Sequence, residues 1–265
     1  MNQHHVETIE KYVALNKDDP AVLAILLGGS LAHGFAKPDS DVDVMLIVEE
    51  SEYERRKASN QLTFSSYGEL DNIANYPGGY VDCKIVSLSL INMIISQGSD
   101  PARYAFQDCR ILWSRIDNIQ ELINQITQFP TQDQSRRRTR FAAQLLAWKW
   151  YYSEGVKKDN PYLKSAAIHK ITLFACRLIL NENQMLYPFH KWLLNVVRSA
   201  PHKPANFDSS IEHLLANHTQ DDVNDFCHRV LQFIGLEENS LDWPNHFLHD
   251  SELNWIAHEP PIEDL

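Results

Sequence analysis

Two aspartates stand shortly after a Gly-Gly-Ser turn, and together these residues could support metal-assisted phosphate chemistry. The turn is Gly28-Gly29-Ser30, and Asp41 and Asp43 follow it after a gap of 10 residues. Glycine lets the backbone approach an anion closely, and the N–H groups of a turn that opens a helix point at that anion. We therefore predict that Gly29 and Ser30 bind phosphate groups. Two carboxylates this close together suit Mg²⁺, which completes its shell with water and substrate phosphates.

Two predicted strands position these groups. Residues 21–27 form an apolar run ended by two glycines, which is typical of a buried strand that leads into a turn. A second apolar run, residues 44–48, follows the two aspartates. Because alternate residues of a strand point to the same face, we expect the carboxylates of Asp41 and Asp43 to share one face of a sheet. The turn and the acids should then meet at one edge of that sheet.

Residues 27–43 resemble the signature of the DNA polymerase beta nucleotidyltransferase superfamily, in which Gly-Ser and Asp-x-Asp are separated by about this distance. The resemblance is strongest to the small bacterial branch that includes antibiotic (aminoglycoside) adenylyltransferases, because a helical region follows. It implies an enzyme that uses ATP or another nucleoside triphosphate with one or two Mg²⁺ ions. It also implies a third acid on a later strand. By this resemblance Asp82 joins Asp41 and Asp43, either as a metal ligand or as the base that takes the acceptor's proton.

Three basic residues are further candidates for nucleotide binding. Lys84 follows Asp82 by two positions and should face the same side of its strand. Lys170 and Arg177 lie seven positions apart on one side of a predicted helix, from which they could reach nucleotide phosphates.

The alternative interpretation of Asp82 is an ordinary aspartate of an edge strand.

The pattern along the chain predicts an α/β fold with two domains. Residues 1–130 should form a nucleotidyltransferase domain with a small mixed β-sheet, and residues 131–265 an α-helical bundle that binds acceptor and nucleotide. The boundary is placed at Phe129-Pro130-Thr131, where the periodic pattern breaks. Beyond it, apolar residues recur at helical spacing. The predicted helices cover residues 136–152, 161–180, 188–197, 208–216, 221–234 and 244–255.

The overall charge narrows the range of partners. The formal net charge is -11, with 24 Lys and Arg against 35 Asp and Glu. Binding of nucleic acid without sequence preference needs clustered basic residues, so we do not expect a polynucleotide partner. The first residues show no signal-peptide pattern and no apolar run is long enough to span a bilayer, so a cytoplasmic protein without membrane contact is expected. The four cysteines show no paired spacing that would indicate a zinc site.

These features together predict transfer of a nucleoside monophosphate, AMP from ATP, to a hydroxyl of a small acceptor. A site rich in carboxylates concentrates cations, so a positively charged polyhydroxyl compound such as an aminoglycoside is the expected acceptor. Two alternatives remain open. The acceptor could be a tyrosine or serine of a partner protein, or the chain could be a non-catalytic nucleotide-binding adaptor or antitoxin module.

Overall fold

The computed structural model describes residues 1–67, 73–256 and 259–264. The chain divides into two compact units, Met1–Gln128 and Phe129–Leu265. The first contains a five-stranded mixed sheet and the second is mostly helical, which confirms the predicted fold class. Within the described ranges, every helix is too short or too polar to cross a membrane.

The first unit alternates helices and strands. Its elements are α1 (Gln3–Asn16), β1 (Val22–Leu27), α2 (Gly29–His33), β2 (Val42–Val48), α3 (Glu50–Ala58), β3 (Thr63–Tyr67), β4 (Tyr80–Ser87), α4 (Leu88–Gln97), α5 (Asp100–Tyr104), β5 (Arg110–Ser114) and α6 (Ile119–Thr127). The strand order is β3-β4-β2-β1-β5. Strands β2 and β4 are parallel, whereas the other neighbouring strands are antiparallel. The two strands that carry the predicted acids are therefore direct neighbours.

The sheet buries apolar side chains on both faces. On one face Leu27, Val44 and Leu46 pack with residues of α1 and α3. On the other face Met45 and Ile47 pack with residues of α4 and α6. Because both faces are covered, β1 and β2 read as continuous apolar runs rather than as alternating patterns.

A buried arginine joins the helices beneath the second face. Arg103 donates hydrogen bonds to the carbonyl oxygens of Ile95 (2.8 Å) and Gly98 (3.0 Å), and to that of Ile126 in α6 (3.0 Å). Carbonyl groups in the last turn of a helix lack partners within the helix, and a cation there also interacts favourably with the helix dipole. Arg103 thus holds the ends of α4 and α6 together under the sheet.

The second unit is built on two long helices that pack against each other. Its α-helices are α7 (Gln134–Lys157), α8 (Pro161–Glu182), α9 (Leu193–Arg198), α10 (Phe207–Ala216), α11 (Gln220–Phe233) and α12 (Trp243–Phe247). A π-helix (Leu248–Glu252) and 3-10 turns (Thr131–Asp133, Glu238–Ser240, Asn254–Ile256, Ile262–Asp264) complete it. Helices α11 and α12 both pack on α7.

Two predicted helices of this unit differ from the observed ones. The helix expected over 188–197 begins only at Leu193, because Phe189 has a left-handed backbone with φ +67°. The helix expected over 244–255 is replaced by the short α12, the π-helix and a 3-10 turn. Apolar spacing alone does not distinguish these geometries.

Candidate functional site

The Gly-Gly-Ser turn leaves a polar group without a partner at the end of β1. Ser30 is only 5% exposed, and its hydroxyl oxygen has no hydrogen-bond partner among the residues that the structure describes. A buried polar group without a partner is unfavourable by roughly 1–3 kcal/mol. A ligand oxygen that accepts from this hydroxyl would remove that penalty, so Ser30 fits its predicted role beside a phosphate.

Asp43 lies directly against this turn. The backbone N–H of Gly28 donates to the carbonyl oxygen of Asp43 (2.9 Å). A Cβ atom added to Gly29 would lie 1.7 Å from Oδ2 of Asp43, so the carboxylate occupies the space that any other side chain would need. Gly29 also has a left-handed backbone, with φ +59°, which glycine adopts without strain. The structure thus brings the predicted phosphate turn and one predicted acid together.

Asp43 and Asp82 face each other across the parallel pair β2–β4. They are direct partners in the register of this pair, which sets their strands about 4.8 Å apart. Both are partly exposed, whereas the neighbouring Val42 and Val81 are fully buried. The two carboxylates therefore lie side by side on the same face, at the N-terminal ends of the two strands.

Tyr80 links Asp41 to this pair. The Tyr80 hydroxyl donates a hydrogen bond to the Asp41 carboxylate, and this bond is the main reason why the pKa of Tyr80 rises to about 12. Partial burial raises the pKa further, as do the negative charges of Asp41, Asp43 and Asp82, because each disfavours a phenolate. One neutral hydroxyl is thus close to all three predicted acids. The sequence prediction missed Tyr80, although its position two residues before Asp82 places it on the same face.

Lys84 occupies the next position on this face. It follows Asp82 by two residues in β4, its partner in β2 is the buried Met45, and its side chain is exposed. Its ammonium group is therefore on the same side of the sheet as the acids. Its contact with phosphate stays a prediction.

The donor set fits a hard divalent cation with a phosphate ligand. In the part of the chain that the structure describes, no group of three or more His, Cys, Asp or Glu side chains could already hold a metal ion. The site instead offers the carboxylates of Asp41, Asp43 and Asp82 together with the unpaired Ser30 hydroxyl. Mg²⁺ usually takes one or two protein carboxylates and fills its shell with water and substrate phosphates. Two of the three carboxylates would satisfy that preference and leave the third for another role.

Comparison with known families agrees with this geometry. Residues 7–98 match the family model described as the nucleotidyltransferase domain. They form a nucleotidyltransferase domain. This match covers the turn and all three predicted acids, and it confirms both the expected family and the expected class of enzyme. No curated protein matches the chain significantly.

Two solved structures resemble the chain at low identity. One is a nucleotidyltransferase-like protein from Exiguobacterium sibiricum 255-15, with 16% identity, a TM-score of 0.46, and coverage of 96% of this chain and 79% of that one. The other is spectinomycin adenyltransferase AAD(9) from Enterococcus faecialis, whose structure contains ATP and spectinomycin. Its identity is 14% and its TM-score 0.36, with coverage of 87% of this chain and 99% of that one.

Residues of α1 support the segment that precedes Asp41 in the nucleotidyltransferase domain. His4 Nε2 lies 2.9 Å from the carbonyl oxygen of Pro38, and the Tyr76 hydroxyl donates to the carbonyl oxygen of Ser40 (2.8 Å). The Tyr76 ring packs on the rings of His4 and His5, at centroid distances of 4.3 and 5.1 Å. His5 Nδ1 accepts a hydrogen bond from the backbone N–H of Asn2, the residue just before α1. Burial lowers the pKa of His5. Together, these ring contacts and hydrogen bonds support the chain that leads into Asp41, and the Tyr76 hydroxyl contributes only one of them.

A second set of contacts anchors α2 of the nucleotidyltransferase domain. The ring of His33, its last residue, stacks on Tyr104 at 4.8 Å, and His33 Nδ1 lies 3.3 Å from Oδ2 of Asp108. Burial, followed by the charge of Asp108, raises the pKa of Tyr104 to about 12. The helix that carries Ser30 is therefore tied to the segment leading into β5.

The two basic residues predicted on α8 make contacts within the second unit. Lys170 Nζ is 3.7 Å from Oε1 of Glu263 and 5.8 Å from the centroid of the Trp148 ring. The Arg177 guanidinium lies between two aromatic rings, 4.5 Å from Phe141 and 4.3 Å from Tyr187. Their role in nucleotide binding stays a prediction.

Proposed function

We propose that this nucleotidyltransferase moves AMP from ATP to a hydroxyl of a small, positively charged polyhydroxyl acceptor and releases pyrophosphate. The observation that carries the proposal is the position of Asp43. Its carboxylate contacts the Gly29 turn on one side and lies opposite Asp82 on the other. A phosphate bound at the turn would therefore be next to both acids.

Each residue has a distinct task in this proposal. The Gly29 backbone and the Ser30 hydroxyl bind the β and γ phosphates, and Lys84 adds positive charge beside the bound nucleotide. A divalent cation held by Asp41 and Asp43 would neutralise charge on the phosphates during transfer.

The bond changes define the task of Asp82. The acceptor oxygen bonds to the α phosphorus, the bond from that phosphorus to the oxygen bridging to the β phosphate breaks, and pyrophosphate leaves. Asp82 either accepts the proton of the acceptor hydroxyl or acts as a further ligand of the cation. Two carboxylates in direct register allow either role, because one can bind the cation while the other faces the acceptor.

Charge supports the choice of a cationic acceptor. The charges of three carboxylates raise the pKa of the Tyr80 hydroxyl, and the formal net charge of the chain is -11. Such a site attracts cations and repels anions before the nucleotide binds. An aminoglycoside has several amino groups and several hydroxyls, so it satisfies both the electrostatic and the chemical requirement.

The test is to incubate the protein with ATP, Mg²⁺ and a panel of aminoglycosides, lincosamides, sugar phosphates and short RNAs. We expect pyrophosphate release with a cationic polyhydroxyl compound and an increase in its mass equal to one adenylyl group. The variants D41N and D43N should lose this activity and keep their fold, because an amide cannot replace the charge of a carboxylate metal ligand.

The controls separate the parts of the proposal. Turnover only with an anionic acceptor would overturn the acceptor and leave nucleotidyl transfer intact, and labelling of a protein would indicate protein adenylylation. Normal turnover by D41N or D43N would overturn the site. ATP binding without pyrophosphate release in the presence of all acceptors would indicate a non-catalytic module.

A further inference from the structure

Tyr80 is a polar residue of the site that has no role in the transfer reaction proposed above. The register of β2 and β4 pairs Val42 with Val81, and Asp41 and Tyr80 are the residues that immediately precede this pair. The Tyr80 hydroxyl donates to the Asp41 carboxylate and lies within electrostatic range of the other two acids. Its position at the start of β4 follows from the strand pairing.

Asp41 and Asp43 differ in their position relative to strand β2. Asp41 lies just outside β2, whereas Asp43 is within the strand and its carboxylate rests against Gly29. A carboxylate at a strand entrance can rotate among several orientations, and one fixed hydrogen bond removes most of that freedom. A carboxylate has about four acceptor positions on two oxygens, so the bond from Tyr80 leaves others open to a cation.

We propose that Tyr80 is a positioning residue that orients the Asp41 carboxylate for divalent-cation binding. The proposal rests on the proposed function, in which Asp41 is a metal ligand. Partners that donate hydrogen bonds to metal ligands fix the orientation of those ligands, and their removal typically weakens metal binding by about 10–100-fold. Tyr80 has no contact with the transferred phosphate in this proposal, so its effect passes through Asp41.

The variant Y80F removes the hydroxyl and keeps the ring. Tyr76→Phe is the matched control, since the Tyr76 hydroxyl is also near Asp41 but donates to the backbone carbonyl of Ser40. Binding of Mn²⁺ would be measured by electron paramagnetic resonance, with and without a non-hydrolysable ATP analogue. We expect Y80F to weaken Mn²⁺ binding at least tenfold, and Y76F to change it by less than about threefold.

Turnover provides a second measurement. With the acceptor found in the panel, Y80F should need a higher Mg²⁺ concentration for half-maximal rate, and saturating Mg²⁺ should restore kcat to near the wild-type value. A purely structural role of Tyr80 would lower kcat at all Mg²⁺ concentrations and leave the Mn²⁺ affinity unchanged.

The outcomes separate this proposal from the proposed function. If the wild-type protein binds Mn²⁺ and Y80F binds it equally well or more tightly, Tyr80 does not position Asp41 and the proposed function stands. An equal loss in Y76F and Y80F would also overturn the proposal, because it would assign the effect to the loop before Asp41. Failure of the wild-type protein to bind Mn²⁺ would overturn the metal site and the role of Tyr80 with it.

Discussion

Replacing Gly29 by alanine should damage the site more than the fold. An alanine with φ near +59° adopts a left-handed backbone, at a cost of about 1–2 kcal/mol. Its Cβ would also be 1.7 Å from Oδ2 of Asp43. Because real Cβ atoms do not approach other atoms closer than 3.0 Å, the Asp43 carboxylate would have to retreat by about 1.3 Å. A displacement of this size in a catalytic group lowers the rate by about 10²-fold.

The chain contains a matched control for this prediction. Gly34, at the other end of α2, has φ +77°, and no atom lies within 4 Å of a Cβ added there. The variants G29A and G34A should therefore lose similar stability in urea denaturation, about 1–2 kcal/mol each.

Only G29A should lose Mn²⁺ binding and about 10²-fold of the pyrophosphate release rate. Equal activity of the two variants would refute the inference that Asp43 needs the space beside Gly29. A much larger loss of stability in G29A would show that the backbone, rather than the carboxylate, yields to the added methyl group.

Three further variants test single groups. If Asp82 is the base, D82N should lower kcat by about 10²–10⁴-fold with little change in nucleotide affinity. Single-turnover kinetics and binding of an ATP analogue would measure the two effects. A change in nucleotide affinity alone would make Asp82 a structural residue. S30A should weaken ATP binding by about 1 kcal/mol, roughly fivefold, without destabilising the free protein, because the Ser30 hydroxyl has no hydrogen-bond partner among the residues that the structure describes. Burial lowers the pKa of His5 below 6.5 in the folded protein. As the pH falls, His5 is therefore protonated in the unfolded chain before it is protonated in the folded protein. The free energy of unfolding should decline as the pH falls from 6.5 to the folded pKa. In urea titrations at several pH values, H5N should remove this part of the pH dependence, and an unchanged pH dependence in H5N would contradict the assignment to His5.

Elements with strong local signals could be predicted from the sequence, and elements defined by their neighbours could not. The helices predicted over 161–180 and 221–234 are observed with nearly the same bounds, as α8 and α11, because each has apolar residues at helical spacing. Strand β3 was missed, since it is short, lies at the edge of the sheet and has three exposed residues, 63–65, in place of an apolar run. Its strand structure comes from pairing with β4, for which a single segment gives no signal.

The candidate site shows the same division. The turn and the aspartate pair were visible as a motif with known spacing. Tyr80 was not, because tyrosine in a strand is usually explained by β propensity alone. Its importance depends on the parallel register that places it, like Asp41, immediately before the pair of Val42 and Val81, and this register is a property of two segments distant in sequence. The sequence does contain one indication: Tyr80 lies two residues before Asp82, and alternate residues of a strand point to the same face.

The location of the acids also follows from the energetics of the sheet. Further along β2 and β4, the same face carries Met45, Ile47 and Val86, which are buried beneath helices. A carboxylate at those positions would lose its hydration without gaining a partner, at a cost of several kcal/mol. At Asp43 and Asp82 the face is still partly open, so the charges keep contact with water until a cation and a nucleotide replace it. The site therefore lies at the margin of the buried core. The packed core holds the strands in place there, and the carboxylates stay accessible to water.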